Sequence, residues 1–310
     1  MRIGIDVGGT KIEGIVLDPR GVETARVRVP TPHDGYESFL KAVADLVAAL
    51  EARAGVRCSV GVGTPGFLSP ETGLILNSNL ASLNGRPIDQ DLSRVVGRPV
   101  RVDNDANCFV LSEATDGAGA RGGRPALPGR IDVVFGATLG TGVGGGIVID
   151  GRVLNGANGA AAEWSHTTLP FLAGDERSPY VCFCGHPGCI ESFVSGRGLA
   201  GTYRALAGRE LDAPEVGRLA AAGDATAARA FDAYESQIAR ALAGVINLLD
   251  PHVIVLGGGV SNNPRIFSNV PRLWERYTAA KDLRTRLVRA QHGDASGVRG
   301  AAWLWNERDA

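Results

Sequence analysis

The chain has 310 residues, of which 44% are hydrophobic and 21% charged, with a formal net charge of −1. That length suits one large or two ordinary domains with real cores, and a charge so near zero argues against binding nucleic acid or a membrane surface through bulk electrostatics. No apolar run approaches the ~18 residues of a membrane span, the N-terminus has no charged-then-apolar leader pattern, and five cysteines do not make a disulfide framework; a cytoplasmic protein is expected. Glycine, at 43 residues, is about twice its usual ~7% share and is clustered, so backbone turns close to ligands are expected.

The chain enters a strand at once, Arg2-Ile3-Gly4-Ile5-Asp6, which breaks into Val7-Gly8-Gly9-Thr10-Lys11 and a second apolar run, Ile15-Val16-Leu17. Such a turn offers backbone N–H groups, a hydroxyl and an ammonium to an anion, although it has neither the Walker spacing nor the following helix of a dinucleotide fingerprint. Asp34 and Glu37 have capping-box spacing ahead of Phe39, Leu40, Val43, Leu46, Val47 and Leu50, a helical period that Gly55 stops. Ser59 to Gly63 reads as a buried strand halted by Thr64-Pro65-Gly66, and Arg98 to Val102 as another, followed by Asp103-Asn104-Asp105 and a helix over Phe109 to Thr115. An aspartate at that strand-to-helix junction has two readings: it caps the helix, or, kept ionised by the positive helix end, it accepts a hydroxyl proton.

The segment Gly117 to Gly129 reads as a linker. After it the opening pattern recurs: Val133 to Leu139, the turn Gly140-Thr141-Gly142-Val143-Gly144-Gly145-Gly146, then Ile147-Val148-Ile149. Two strand–glycine turn–strand units suggest a duplicated architecture, and two such turns can hold a polyphosphate with backbone donors. Further on, Phe231 to Leu249 forms a long amphipathic helix, and His252 to Leu256 a strand running into Gly257-Gly258-Gly259, which either accommodates a nucleotide against bare backbone or makes a tight turn. Alternating strands and helices with glycines after strand ends indicate an α/β fold with ligands at the carboxyl edges of the strands.

Between these lies the most specific stretch, Glu163-Trp164-Ser165-His166 and then Cys182-Phe183-Cys184-Gly185-His186-Pro187-Gly188-Cys189-Ile190-Glu191. Three cysteines in a Gly/Pro-rich segment with an upstream histidine form a Cys3His zinc set, with His166 preferred to the rival His186 as the fourth ligand. No basic helix or aromatic platform flanks the cluster, so a nucleic-acid zinc module is not expected, and Cys58 and Cys108 read as core residues.

On these motifs the chain resembles the ROK family of bacterial sugar kinases and related repressors over nearly its whole length. The resemblance implies two actin-like (ribonuclease H-type) domains with a ligand cleft between them: residues 1–117, completed by a C-terminal helix at about 296–310, and 118–295 with the zinc motif. It implies ATP and Mg2+ as cofactors, a structural Zn2+ and a hexose substrate. Asp105 matches the catalytic base; Gly66, Asn79, Asn104, Glu163, His166 and Glu191 match sugar ligands; His166, Cys182, Cys184 and Cys189 match the zinc ligands. Asp6, Gly8, Gly9, Thr10, Lys11, Gly140, Thr141, Gly142, Gly144, Gly145, Gly257, Gly258 and Gly259 fall to the nucleotide side. A homodimer is also implied. Ser165 departs from the glycine usual before this histidine and is expected to fit a surface turn.

The loop Asn77 to Pro87 and the segment His292 to Trp305 look most like the family's fructokinases (mannokinases), so fructose phosphorylation is expected, with N-acetylglucosamine kinase or glucokinase as the alternative. A sugar-responsive regulator is the alternative of another class; the chain enters its first strand by Ile3, which leaves no room for the N-terminal helix-turn-helix of the family's repressors.

Overall fold

The computed structural model of the protein describes residues 1–120, 132–172, 174 and 176–305. The first half runs β1 (Arg2–Val7), β2 (Lys11–Leu17), β3 (Glu23–Pro30), α1 (Tyr36–Ala54), β4 (Ser59–Thr64), the short strands β5 (Phe67–Leu68) and β6 (Ile75–Leu76), α2 (Ile88–Val96), β7 (Val100–Asn104) and α3 (Asp105–Thr115). The second runs β8 (Val133–Leu139), β9 (Val143–Ile149), β10 (Arg152–Val153), α4 (Ile190–Val194), α5 (Gly196–Ala207), α6 (Ala213–Ala221), α7 (Ala225–Leu249), β11 (Val253–Gly257), α8 (Arg265–Trp274), β12 (Arg286–Arg289) and α9 (Ser296–Trp303).

The large sheets have orders β3-β2-β1-β4-β7 and β10-β9-β8-β11-β12. These are the same pattern: an antiparallel meander at one side and parallel strands added at the other, β4 beside β1 and β11 beside β8. The two glycine turns occupy equivalent places, β1–β2 and β8–β9, as the repeat in the sequence suggests. Among the described residues, no helix is long and apolar enough to cross a membrane.

By packing, the chain divides into one unit of Met1–Arg124, Gly146–Ala161 and Gln291–Ala310 and another of Pro125–Gly145 and Ala162–Ala290. The sequence places 146–161 after its boundary at 117/118; the packing gives that stretch to the first unit. Asn107 Nδ2 donates to Asn155 Oδ1 at 3.1 Å, and Gly146 lies against Val110 and Ala106, ties between distant residues that composition does not reveal. Most of the expected linker, and the end of the expected C-terminal helix, lie outside the described residues.

The first unit's core is aliphatic: Ile3, Ile5, Ile12, Val60 and Val62 from the sheet meet Phe39, Leu40, Val43, Leu46 and Leu50 from one face of α1. That stripe is the 3.6-residue period legible in the sequence. Its cap differs from the expected box: Gly35 is the N-cap of α1 and no side chain completes it, since the helix already begins at Tyr36. At the other end Gly55 is left-handed, as expected.

The C-terminal segment is fastened to α3 by two carboxylates. Buried Glu113 accepts the N–H groups of Gln291 and His292 at 2.9 and 3.0 Å and the Ser296 hydroxyl at 2.8 Å. Asp116 accepts from Arg299, from Trp303 Nε1 at 3.1 Å and from His292 Nε2 at 3.0 Å. Burial acts to raise the Asp116 carboxyl, but hydrogen bonds from His292 and Arg299 outweigh it and hold it below its ordinary 3.8. A depressed folded-state value contributes stability above the unfolded value, lost as pH falls through the folded one. Asp116→Asn is therefore expected to destabilise by about 1–3 kcal/mol at neutral pH, with the difference from wild type closing in thermal melts taken below pH 3.8.

Helix α9 also sits very close to α3. A Cβ built on Gly300 falls 1.6 Å from the carbonyl oxygen of Cys108, a backbone atom that cannot move aside. Gly300→Ala is expected to cost about 3 kcal/mol or more, at the upper end of overpacking, read as a lowered urea midpoint.

In the second unit α7 runs from Ala225 with Asp224 as its N-cap and is ended by Asp250 in the left-handed region, φ 46°. Phe231, Tyr234, Ile238 and Leu242 bury the stripe expected of it. Tyr234, fully buried, donates its hydroxyl to Val194 O at 2.7 Å and so fastens the end of α4 to α7.

Candidate functional site

In the first unit the predicted residues gather at the carboxyl ends of β1, β4 and β7. Strand β7 stops at Asn104, whose Oδ1 accepts from the N–H groups of Ala106 and Asn107 at 2.9 and 3.3 Å. Asn104 is therefore the helix cap, and Asp105 is not. The Asp105 carboxylate stands exposed in the first turn of α3, its Oδ1 accepting from the adjacent Ala106 N–H at 2.8 Å.

Asn104 faces a second way as well. Its Nδ2 donates to the carbonyl of Gly66 at 3.0 Å. Gly66 has φ +86°, and a Cβ there would lie 2.5 Å from Leu76 O, so only glycine fits. The next loop is clamped by Asn84, which accepts from Ser78 N–H at 2.9 Å and donates to Ser78 O at 2.8 Å. Asn79, beside that clamp, is exposed. Sequence reasoning passed over Asn84; its only signal was the turn-forming Asn84-Gly85 pair.

The β1–β2 turn closes through Gly8 N–H to Lys11 O at 2.9 Å and is pinned by Thr31, whose hydroxyl donates to Gly8 O at 2.6 Å and whose N–H donates to Thr10 O at 3.1 Å. Gly9 and Thr10 at its tip are exposed. Lys11 leans on Glu13 at 3.4 Å rather than standing alone. At the turn's edge, burial first and the neighbouring Asp105 carboxylate next push Asp6 up to about 6. A carboxyl raised by a neighbouring carboxylate suits a site where a cation balances the charge.

In the second unit the β8–β9 turn is held from several directions. Gly140 N–H bonds Gly142 O at 2.9 Å, Gly196 N–H bonds Gly140 O at 2.7 Å, and Val143 N–H donates to Glu191 Oε2 at 2.7 Å. Gly144 N–H finds Thr138 Oγ1 at 3.1 Å, and Trp164 Nε1 donates to Gly144 O at 3.1 Å. Of the third glycine group, Gly258 has φ +83° and a Cβ there would lie 2.5 Å from Leu139 O, so it makes the tight strand-to-helix turn; Gly259 has open space around it.

The Cys/His stretch comes together as a closed knot. One ligand atom each from His166, Cys182, Cys184 and Cys189 lie within 4.8 Å of one another, and His186 is not in the group. Cys184 Sγ is 3.5 Å from Cys189 Sγ, and His166 Nδ1 is 3.5 Å from Cys182 Sγ. A tetrahedron with Zn–S of about 2.3 Å has edges of about 3.8 Å, so four such donors fit zinc. Hydrogen bonds from His186 draw the Cys184 thiol down to about 6, toward the thiolate a metal needs, while burial pushes Cys182 up.

With Nδ1 turned to the sulfurs, His166 Nε2 faces Glu163 Oε2 at 3.7 Å, and the Glu163 side chain is 51% exposed. Glu191 is different. Its side chain is only 2% exposed, with one oxygen on Val143 N–H and the other 3.2 Å from the Arg197 guanidinium. Ser165 corrects the expectation of a surface turn: it is 2% exposed, inside the short helical turn Trp164–His166 that carries the histidine.

Two like-ordered sheets, each with a glycine turn in its leading hairpin, define an α/β protein of the actin-like ATPase type. The architecture is that of the ROK hexokinase from Thermus thermophilus, with TM-score 0.85, 34% identity and coverage of 100% of this chain and 99% of that one. The ROK glucokinase from Streptomyces griseus in complex with glucose and AMPPNP is similar at TM-score 0.74 and 28% identity, with 98% of both chains covered. The chain belongs to the ROK family, whose sequence model matches residues 2–308. It is 42% identical over 309 residues to the N-acetyl-D-glucosamine kinase of Pectobacterium atrosepticum, with 98% of each chain covered. The fructokinase expectation does not stand against such relatives; loop resemblance at 77–87 and 292–305 did not separate the subgroups.

Proposed function

We propose that this chain is an ATP-dependent hexose kinase whose acceptor is N-acetyl-D-glucosamine. The relation to N-acetyl-D-glucosamine kinases across nearly the full length of both chains carries the choice of sugar. The exposed Asp105 carboxylate at the start of α3, relieved of capping by Asn104, supports the chemistry.

In this reading Asp105 takes the proton of the sugar hydroxymethyl group as its oxygen attacks the γ-phosphorus in line, the bond from that phosphorus to the β,γ-bridging oxygen breaks and ADP leaves, and the protein's work is positioning and charge stabilisation. The tips of the two turns, Gly9–Thr10 and Thr141–Gly142, present backbone N–H groups to the phosphates, the N–H groups of Gly8, Gly140, Val143 and Gly144 being bonded within the protein. Mg2+, held near Asp6, would supply the charge that offsets the transferred phosphoryl. Asn104, Gly66 and Asn79 of the first unit and Glu163 and His166 of the second bind the sugar in this reading, while Glu191, whose oxygens are already bonded to Val143 N–H and Arg197, braces the second glycine turn. Zn2+ on His166, Cys182, Cys184 and Cys189 is structural: four protein donors close its sphere, leaving no position for substrate.

A site built on hydrogen bonds to particular groups rejects a sugar that leaves them unpaired. Ranking kcat/KM by ATP consumption with N-acetylglucosamine, N-acetylmannosamine, glucose, mannose and fructose is expected to put N-acetylglucosamine first by about tenfold or more. Equal or better use of fructose or glucose would overturn the acceptor, and no turnover with any of them the kinase reading itself.

A further inference from the structure

One charged residue beside the second glycine turn has no part in the scheme above. Arg197, in the first turn of α5, has a side chain that is 53% exposed and yet fixed on three sides. Its Nε donates to the carbonyl of Thr141 at 3.3 Å, a terminal nitrogen reaches Glu191 Oε1 at 3.2 Å, and the guanidinium lies 5.2 Å from the centre of the Tyr180 ring. Tyr180 is itself anchored, its hydroxyl 3.1 Å from Glu191 O and 2.9 Å from Ser195 Oγ.

What this does to the turn follows from peptide geometry. In a trans peptide the C=O and the N–H of one unit point in opposite directions. Holding Thr141 O toward Arg197 therefore aims the Gly142 N–H away from α5. The bond from Gly196 N–H to Gly140 O does the same for the Thr141 N–H. Glycines either side of Thr141 would otherwise let both peptide planes turn freely. Two donors at the tip are thus set on one side, which is what an anion-binding turn requires.

The anchor has its own anchor. Cys189 is the N-cap of α4, Glu191 stands in the first turn of that helix, and Glu191 holds both Val143 N–H and Arg197. The metal knot, α4, Arg197 and the glycine turn form one continuous mechanical path.

We propose that Arg197 is a positioning residue for the nucleotide: it orients the N–H donors of the Gly140–Gly142 turn and makes nucleotide affinity depend on the zinc knot. This rests on the kinase reading for the identity of the ligand. Calorimetry of the full chain with AMPPNP and, separately, with N-acetylglucosamine tests it without turnover. Arg197→Ala is expected to weaken AMPPNP about tenfold and the sugar no more than about threefold. Arg197→Lys, which keeps the charge but not the planar fork, is expected to recover only part of the loss.

Chelating zinc from the wild type should weaken AMPPNP as well, and chelating it from Arg197→Ala should add less than in the wild type, since only the bond from Val143 N–H to Glu191 then links the knot to the turn. An unchanged AMPPNP affinity in Arg197→Ala, full recovery in Arg197→Lys, or an equal zinc effect in wild type and variant would each overturn the proposal. If Arg197→Ala fails to fold by circular dichroism, Arg197→Lys and the zinc titration of the wild type decide it. Absence of turnover in a wild type that binds AMPPNP would sink the kinase reading and leave the role of Arg197 standing.

Discussion

Replacing Asp105 with Asn is expected to lower kcat by about 10²-fold or more, the range of general-base catalysis, with little change in the melting temperature. The two halves of that result have separate physical causes. Turnover falls because an amide cannot take the hydroxyl proton as the sugar oxygen attacks. The fold persists because Asn104 caps α3 through Ala106 and Asn107 N–H, and the amide oxygen of Asn at 105 can still accept from Ala106 N–H as Asp105 does. Asn104→Ala is the contrasting control: it removes two acceptor contacts to the helix and the tie to Gly66, so stability should fall by about 1 kcal/mol as for other caps. Kinetics and thermal melts on the two variants separate base from cap. Near-normal turnover in Asp105→Asn would remove the base assignment.

Cutting the metal knot is expected to act on stability and sugar affinity together. Cys184→Ser takes away the donor whose thiol is drawn lowest, so metal affinity should drop by about tenfold or more. Weaker metal binding leaves the Nδ1 side of His166 held by Cys182 alone, and so loosens the direction in which Nε2 faces Glu163. The segment from Thr167 to Leu169 also pairs with the Gly188–Ile190 backbone, through Ile190 N–H to Thr167 O and Leu169 N–H to Gly188 O, both 2.9 Å. That ladder keeps part of the loop in place without metal, so a lowered melting temperature and a raised sugar KM are expected rather than unfolding of the chain. Metal content by mass spectrometry, melting and KM for N-acetylglucosamine make the test. If zinc is stripped and both stability and sugar affinity hold, the knot does not support the site.

The elements that the sequence makes plain are those whose signal is local. The α1 stripe, the stops at Gly55 and Asp250, the buried run Ser59 to Gly63 and the repeated strand–glycine turn–strand unit can all be read from spacing, because each follows from backbone geometry within one or two turns of chain. The zinc knot is legible for a similar reason: three of its donors lie within eight positions. Its fourth member is less so. His186 sits inside the loop and His166 well before it, and the fold brings in His166 by pairing the backbone around Thr167 and Thr168 with that around Cys189.

Other features depend on partners far away in the chain. Asn104 and Asp105 are adjacent and both are good caps; Asn104, which also reaches Gly66, takes the cap, and Asp105 stays exposed in the first turn. Ser165, expected in a surface turn where the family has glycine, is buried, next to Trp164, whose indole reaches Gly144.

The sequence by itself determined the α/β class, the two glycine turns and the three-cysteine part of the Cys/His cluster, because periodicity, turn chemistry and residue spacing act over short stretches. Only the tertiary structure decided that Asn104 takes the cap and leaves Asp105 exposed, that 146–161 packs with the first unit, and that Arg197 and Glu191 hold the second turn. Each of those depends on a hydrogen bond or packing contact between residues tens of positions apart, and such contacts exist only once the chain has folded.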